Sequence, residues 1–245
     1  MLPDAPRWLR FAARSAVVYG FFSALAVYWG WGLGFGSALD TALVGAVVPS
    51  ALGGLYLGAR LPMEALAWRS RRLPFRALIE ARDADAAGLR IAAGFWLIVF
   101  LAWAVVVDKP IMHVLAAHGI LAGSFLGSMG VGALWSLWTS SIRMSVFLGV
   151  LTWAPVWTAF IWMPAAFPPS MPVLNAAVNM NPLIGVMIAL KQRGIFWNPL
   201  FYGRLPYADY AVQMRGAWFH FGLWAAVGIL GAGAACLILR RKTGA

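Results

Sequence analysis

From Met144 to Leu190 the chain carries no charged side chain. A helix needs about 20 apolar residues to cross a hydrocarbon core of about 30 Å. This run is too long for one crossing, and its second half is too irregular to supply another. Pro164, Pro168, Pro169 and Pro172 are followed there by Asn175, Asn179 and Asn181-Pro182-Leu183. Proline lacks the N–H that a helix interior uses. One helix therefore crosses, and a broken apolar segment dotted with amides follows. Irregular backbone survives at membrane depth only where protein or a water-filled cavity satisfies its amides. That makes this segment the expected seat of function.

The remainder of the chain agrees on class. It is 62% hydrophobic and only 11% charged, with 14 Trp and 15 Phe, which fits a polytopic membrane protein and leaves no room for a soluble domain. The net charge of +11 does not point to nucleic acid, because the basic residues flank apolar segments and form no stripe on a polar face. Cys236 is the lone cysteine, so there is no intramolecular disulfide, cysteine metal cage or dithiol relay. It is expected to behave as a small buried hydrophobe.

Charge-free windows predict an all-α chain with six spans in one domain, residues 1–245. They run at about Ser15–Trp31, Thr41–Gly58, Ile91–Val107, Met112–Trp138, Ser145–Trp162 and Gly216–Leu239. The start resembles a signal peptide at Ala24-Leu25-Ala26, but the apolar run continues past it and reads as an uncleaved first span. Asp108-Lys109-Pro110 predicts a tight hairpin turn. With both ends in the cytoplasm, fourteen Lys and Arg fall inside and five outside, which satisfies the positive-inside rule. Tyr28, Trp29 and Trp31 at one span end, and Trp218, Phe219 and Trp224 at another, then form an aromatic belt at the outer interface.

Three segments outside the spans carry the remaining signal. Residues 1–14 place Trp8, Leu9, Phe11 and Ala12 among Arg7, Arg10 and Arg14, the pattern of an interfacial helix. Residues 60–90 form a basic cytoplasmic loop of two short helices, one opened by Pro62 and the second following Pro74. Its mixed charge and embedded Leu66, Trp68, Phe75, Leu78 and Ile79 suit either a protein partner or anionic lipid. Residues 164–215 lie outside. Within them Asn181 reads as a helix cap and Pro182 as the first helical position, opening a short apolar helix that dips into the membrane and returns at Lys191 and Arg193.

Enzyme signatures are missing. Asp40, Asp108 and Asp209 read as loop residues, no acidic cluster exists for a divalent metal, and no phosphate-cradling Gly-x-x-x-x-Gly-Lys loop is present. Any nucleotide must therefore bind another chain. His113 and His118 near the outer end of span four, and His220 near that of span six, leave a haem or metal reading open.

Three stretches carry a family likeness. Arg71-Arg72-Leu73-Pro74-Phe75-Arg76 through Glu80-Ala81-Arg82 precedes span three. Asn181-Pro182-Leu183, with Lys191 or Arg193 about ten positions on, precedes span six, and Arg143 follows Ser140-Ser141 between spans four and five. In these motifs and in the order of its segments the chain resembles the membrane subunit of an ABC transporter, of the export-type (type 2) permease family. It departs from the family pattern in lacking an acidic residue before the basic one of the re-entrant segment, and in a very short loop between spans three and four.

The resemblance implies an N-terminal interfacial helix, a cytoplasmic coupling helix and re-entrant external helices between spans five and six. It implies a multi-pass subunit of the bacterial inner membrane with no catalytic residue or metal of its own. ATP and Mg would sit on separate cytoplasmic ABC ATPase subunits, and a second permease copy or a relative would complete the path. Arg72, Pro74, Phe75, Arg76, Glu80 and Arg82 would meet the ATPase, with Arg7, Arg10 and Arg143 beside them. Asn181, Pro182, Lys191, Arg193, Trp153 and Trp157 would belong to the re-entrant region or the path, whose aromatic lining suits lipid-linked or amphipathic cargo. Two other readings stay open at this point. One is a membrane redox or metal-binding protein built on His113, His118 and His220; the other is a non-catalytic subunit of a membrane complex.

Overall fold

Long apolar stretches with few internal breakers become helices, and the breaks fall where proline or a polar cap interrupts the backbone. A computed structural model of the chain describes residues 6–32, 37–69, 75–139, 141–166, 171–191 and 215–243. The elements are α1 (Arg7–Gly32), α2 (Ala38–Gly45), α3 (Val47–Arg69), α4 (Phe75–Val106), α5 (Ile111–Ser136), α6 (Ile142–Ala166), α7 (Met171–Asn179), α8 (Pro182–Ala189) and α9 (Ala217–Thr243). Five segments are long and apolar enough to cross a membrane: α1, the α2–α3 pair, the C-terminal part of α4, α5 and α9. Large apolar side chains such as Val17, Phe21, Ile98, Val105, Ile229 and Leu230 stay exposed on three of them, as lipid-facing side chains do. The chain is a helical, multi-pass membrane protein.

The helices are more continuous than the sequence suggests. Of the expected interfacial segment at residues 1–14, Arg7 to Arg14 run unbroken into the first span as α1. Pro62, expected to open a new helix, lies inside α3, which continues to Arg69. The carbonyl that a proline there leaves unbonded is that of Gly58, four residues earlier. The second span, in turn, is broken at Ala46. Pro49 has no N–H to give the Gly45 carbonyl, so the chain turns there and starts again as α3. Ser37 caps α2, accepting at its Oγ from the Asp40 N–H at 3.2 Å.

The hairpin at Asp108 forms as expected. Lys109 N–H donates to the Ala104 carbonyl at 2.8 Å and Asp108 N–H to that of Val105 at 3.4 Å, with Asp108 at φ 53°. This is a Schellman closure with aspartate in the left-handed position where glycine is usual.

Helix α5 is the axis of the molecule and packs α3 along one side and α9 along the other. Both contacts are backbone to backbone. A Cβ at Gly54 or Gly58 of α3 would strike the carbonyls of Phe125 or Met129, and one at Gly132 would strike that of Leu55. Toward α9, Gly123 and Gly127 lie against Phe221 and Trp224, and Gly130 lies against Gly228. In lipid no water is expelled when helices meet, so close packing by small residues is what joins them.

A second pair, α1 with α4, leans on this trio. The Trp96 indole donates to the Ala16 carbonyl at 3.0 Å, and the Tyr19 hydroxyl meets Ser50 Oγ of α3. Leu39, Leu43, Phe100, Val114, Ile120 and Val186 fill the space between α2, α4, α5 and α8.

Substituting Gly58 by Ala forces the α3–α5 backbones apart and is expected to cost about 1–3 kcal/mol. A Cβ added at Gly94 would meet nothing within 4 Å, so Gly94→Ala is expected to gain up to about 1 kcal/mol from helix propensity. Thermal unfolding of the purified protein in detergent measures both, and equal effects would contradict the packing described.

Candidate functional site

The site is built around the bend between α7 and α8. Proline disfavours helical backbone in the residue before it, and Asn181, preceding Pro182, is extended at φ −86° and ψ 116°. The two helix axes consequently differ by 76°. Asn181 is wholly buried and uses both ends of its amide. Its Oδ1 accepts from the Leu183 N–H at 2.9 Å, capping α8, while its Nδ2 donates to the Trp157 carbonyl of α6 at 2.6 Å. Asn179 performs the matching task toward α9: its Oδ1 accepts from the Arg215 N–H at 2.7 Å and its Nδ2 donates to the Asn175 carbonyl at 2.8 Å. Two amides thus fasten the bend to the helices before and after it. Beyond α8, Lys191 is exposed at φ 55° with its N–H on the Ile188 carbonyl at 3.0 Å. Arg193 lies outside the described residues.

Beside the bend sits an aromatic cluster. Trp153 and Trp157, one turn apart on α6, stack at 5.9 Å between centroids, and Trp153 meets Trp224 of α9 at 4.3 Å. Leu55 of α3 completes the group. One turn before Trp224, His220 is fully buried with its ring against Gly185 of α8, where a Cβ would lie 2.8 Å from it. The indole nitrogens of Trp153, Trp157 and Trp224 and both ring nitrogens of His220 are buried and make no hydrogen bond. The Arg215 backbone lies near His220 without reaching hydrogen-bond geometry. Buried polar groups of this kind cost about 1–3 kcal/mol each when unmet, and five of the unmet atoms fall together here on two helices.

Sequence reasoning selected Trp153, Trp157, Asn181 and Pro182, and the structure brings all four together. It missed the other half of the cluster. Trp224, expected in an interfacial belt with Trp218 and Phe219, is 3% exposed, whereas Trp218 is 72% exposed. The clue was the four-residue spacing of His220 and Trp224, which repeats that of Trp153 and Trp157 and puts each pair on one helix face.

The other two histidines lie elsewhere. His118 donates from Nδ1 to the Val114 carbonyl at 3.0 Å and packs its ring on Phe100 of α4 at 5.7 Å. His113 stands at the start of α5, in its first turn. Among the described residues no three His, Cys, Asp or Glu side chains gather to hold a metal. Cys236, expected to be buried, is exposed on α9.

At the two ends of the bundle lie charged ties. Asp85 of α4 is 1% exposed and receives Arg60 of α3, the Tyr56 hydroxyl at 3.3 Å, and Arg7 of α1 at 3.1 Å. Arg7, expected to face a partner, bonds Asp85 while its side chain stays half-exposed, and Arg10 and Arg143 are exposed. Phe75 opens α4, with Arg76, Glu80 and Arg82 following on the same helix; Arg72 and Pro74 lie outside the described residues. At the opposite end, Asp40 is no loop residue. Ser37 starts a helix there, and Asp40 is buried in its first turn, paired with Lys109 at 2.9 Å.

No family model, no curated protein and no solved structure matches the chain.

Removing one partner of a buried ion pair strands the other, at about 3–5 kcal/mol. Asp85→Ala strands Arg60 in this way, whereas Arg7 is half-exposed and its loss is expected to cost no more than about 1 kcal/mol. Thermal unfolding of Asp85→Ala and Arg7→Ala in the same detergent checks the order; an equal or reversed order would refute a role for Asp85 as the shared anchor.

Proposed function

We propose that this chain is the membrane-spanning permease subunit of an ATP-driven exporter of the ABC type. The observation that carries the reading is the bent α7–α8 pair between α6 and α9, capped at Asn181-Pro182 and fastened to α6 through the Trp157 carbonyl. A bent pair held at its apex by side-chain amides suits the re-entrant element expected before the last span. On this reading α6 is the fifth span and α9 the sixth, and both termini face the cytoplasm of a bacterial cell.

The division of labour follows from chemistry. This chain supplies a path and a lever, and separate ATPase subunits supply ATP, Mg2+ and the hydrolytic residues. A second copy or a related permease closes the path. The segment Arg72 to Arg82, which includes the first turns of α4, is the element that a closing ATPase would push. Asp85 lies just beyond it on α4 and joins Arg7 at the start of α1 to Arg60 of α3. Load on this segment would therefore reach three helices at once instead of bending one. Such a load shifts a bundle between two packings by rocking or shear. Exposed Arg10 and Arg143 would flank the same docking surface.

Purification of the chain from its native membrane in mild detergent is expected to retain an ATP-hydrolysing partner. Phe75→Asp and Arg76→Glu, each introducing a wrong charge at the contact, are expected to lower coupled hydrolysis by roughly tenfold, the effect of about 1.4 kcal/mol. Folded chain without any ATPase partner, or both variants coupled as well as the unaltered chain, would overturn the proposal.

A further inference from the structure

Asp85 is held from two sides by bonds of unequal burial. Arg60 of α3 pairs with it inside the bundle, and the Tyr56 hydroxyl donates to it at 3.3 Å. Arg7 of α1 reaches it through Nε at 3.1 Å and Nη2 at 3.3 Å. The Arg60 side chain is 8% exposed and that of Arg7 54%. Water and salt screen an exposed pair far more than a buried one. The Arg7 tie therefore opens first, and Asp85 keeps Arg60 when it does.

The start of α1 depends on that tie. The positive end of a helix dipole favours acidic residues and disfavours basic ones. The first turn, Arg7 to Arg10, holds two arginines and no acid, and the carboxylate that meets it comes from α4. Two further contacts seat these turns. Phe11 stacks on Tyr56 at 5.7 Å between centroids. Gly88 of α4 lies so close that an added Cβ would stand 2.9 Å from the Trp8 carbonyl oxygen and 3.0 Å from the Ala12 nitrogen. From Ala16 onward α1 is fixed separately, by the Trp96 indole on the Ala16 carbonyl and by Tyr19 on Ser50. Any opening is thus confined to the turns before Ala16.

We propose that the first two turns of α1 are a releasable strap, clipped to α4 by Arg7 and Asp85, which frays into coil while the Arg60–Asp85 pair and the rest of α1 stay in place. Its meaning rests on the permease reading. Clipped, the strap braces the start of α4, where an ATPase would bear; unclipped, it lets that start move without α1. An acidic side chain brought to Arg7 by a partner would unclip it by competing with Asp85. The opening itself needs no ATPase.

The test follows amide hydrogen exchange by mass spectrometry on the full chain in nanodiscs of neutral phosphatidylcholine, where salt does not act through lipid charge. Exchange reports how often a segment opens. Raising NaCl from about 0.05 M to about 1 M shortens the screening length to about 3 Å. Amides of residues 9–14 are then expected to exchange about fivefold faster, while those of residues 17–25 and of residues 84–92, around Asp85, keep their rates. Arg7→Gln should exchange fast at both salt concentrations, with the salt effect gone. Exchange at residues 9–14 that ignores salt overturns the proposal. So does an equal salt response in folded Arg7→Gln, or equal acceleration around Asp85, which would mean that the whole end loosens. If Arg7→Gln does not fold, the salt series on the unaltered chain still decides. Failure here leaves the permease reading standing, since an ATPase can push α4 with the strap fixed, and loss of that reading leaves any measured release in place.

Discussion

Close approach of backbone on both sides of α5 is the constraint on which the rest of the structure depends. Two helices in lipid gain little from merely being apolar, since the tails around them are apolar too. They gain from contact, and contact here reaches the main chain. Gly54, Gly58 and Gly132 allow it between α3 and α5, and Gly123, Gly127, Gly130 and Gly228 allow it between α5 and α9. The resulting trio has little freedom to swell. Everything with polar or conformational interest is attached to it from outside: α1 with α4 on one side, α6 and the bent pair on another.

Those attachments are polar where the core contacts are small. Tyr19 to Ser50, Asn181 to Trp157, Arg60 to Asp85 and Lys109 to Asp40 each join elements that share few other contacts. A hydrogen bond or ion pair has two states, made and broken, whereas interdigitated packing resists sliding. On the permease reading, ties of this kind would hold a moving part in register and let it go when load is applied. The charged ties stand at opposite ends of the bundle, which is where a protein that opens alternately to two sides would need them.

Much of this was legible in the chain. Apolar length gave the helices, Asp108-Lys109-Pro110 gave the hairpin, and Asn181-Pro182 gave both the cap and the bend, because each rests on local backbone chemistry. Tertiary facts were harder to see. Nothing local distinguishes Trp224, which is buried against Trp153, from Trp218, which is exposed one and a half turns earlier. Asp85 lies in the mixed-charge stretch 60–90 with nothing local to single it out, and only the meeting of α1, α3 and α4 makes it an anchor. Asp40 misled for a related reason: its neighbours are turn-forming, yet Ser37 starts a helix there and Lys109 arrives from sixty-nine residues away. Charge cost depends on what lies nearby in space, and sequence distance conceals that.

The architecture turns on which face of the membrane each turn occupies. With Cys236 replaced by Ala, single cysteines at Asp108, Lys191 and Arg143, all exposed, can be probed with a membrane-impermeant thiol reagent from one side at a time. The expected result is that Asp108→Cys and Lys191→Cys label from the same face and Arg143→Cys from the other, because on the proposed reading the bent pair enters and leaves at one surface. Labelling of Lys191→Cys together with Arg143→Cys would make α7 and α8 a crossing, and would contradict the account.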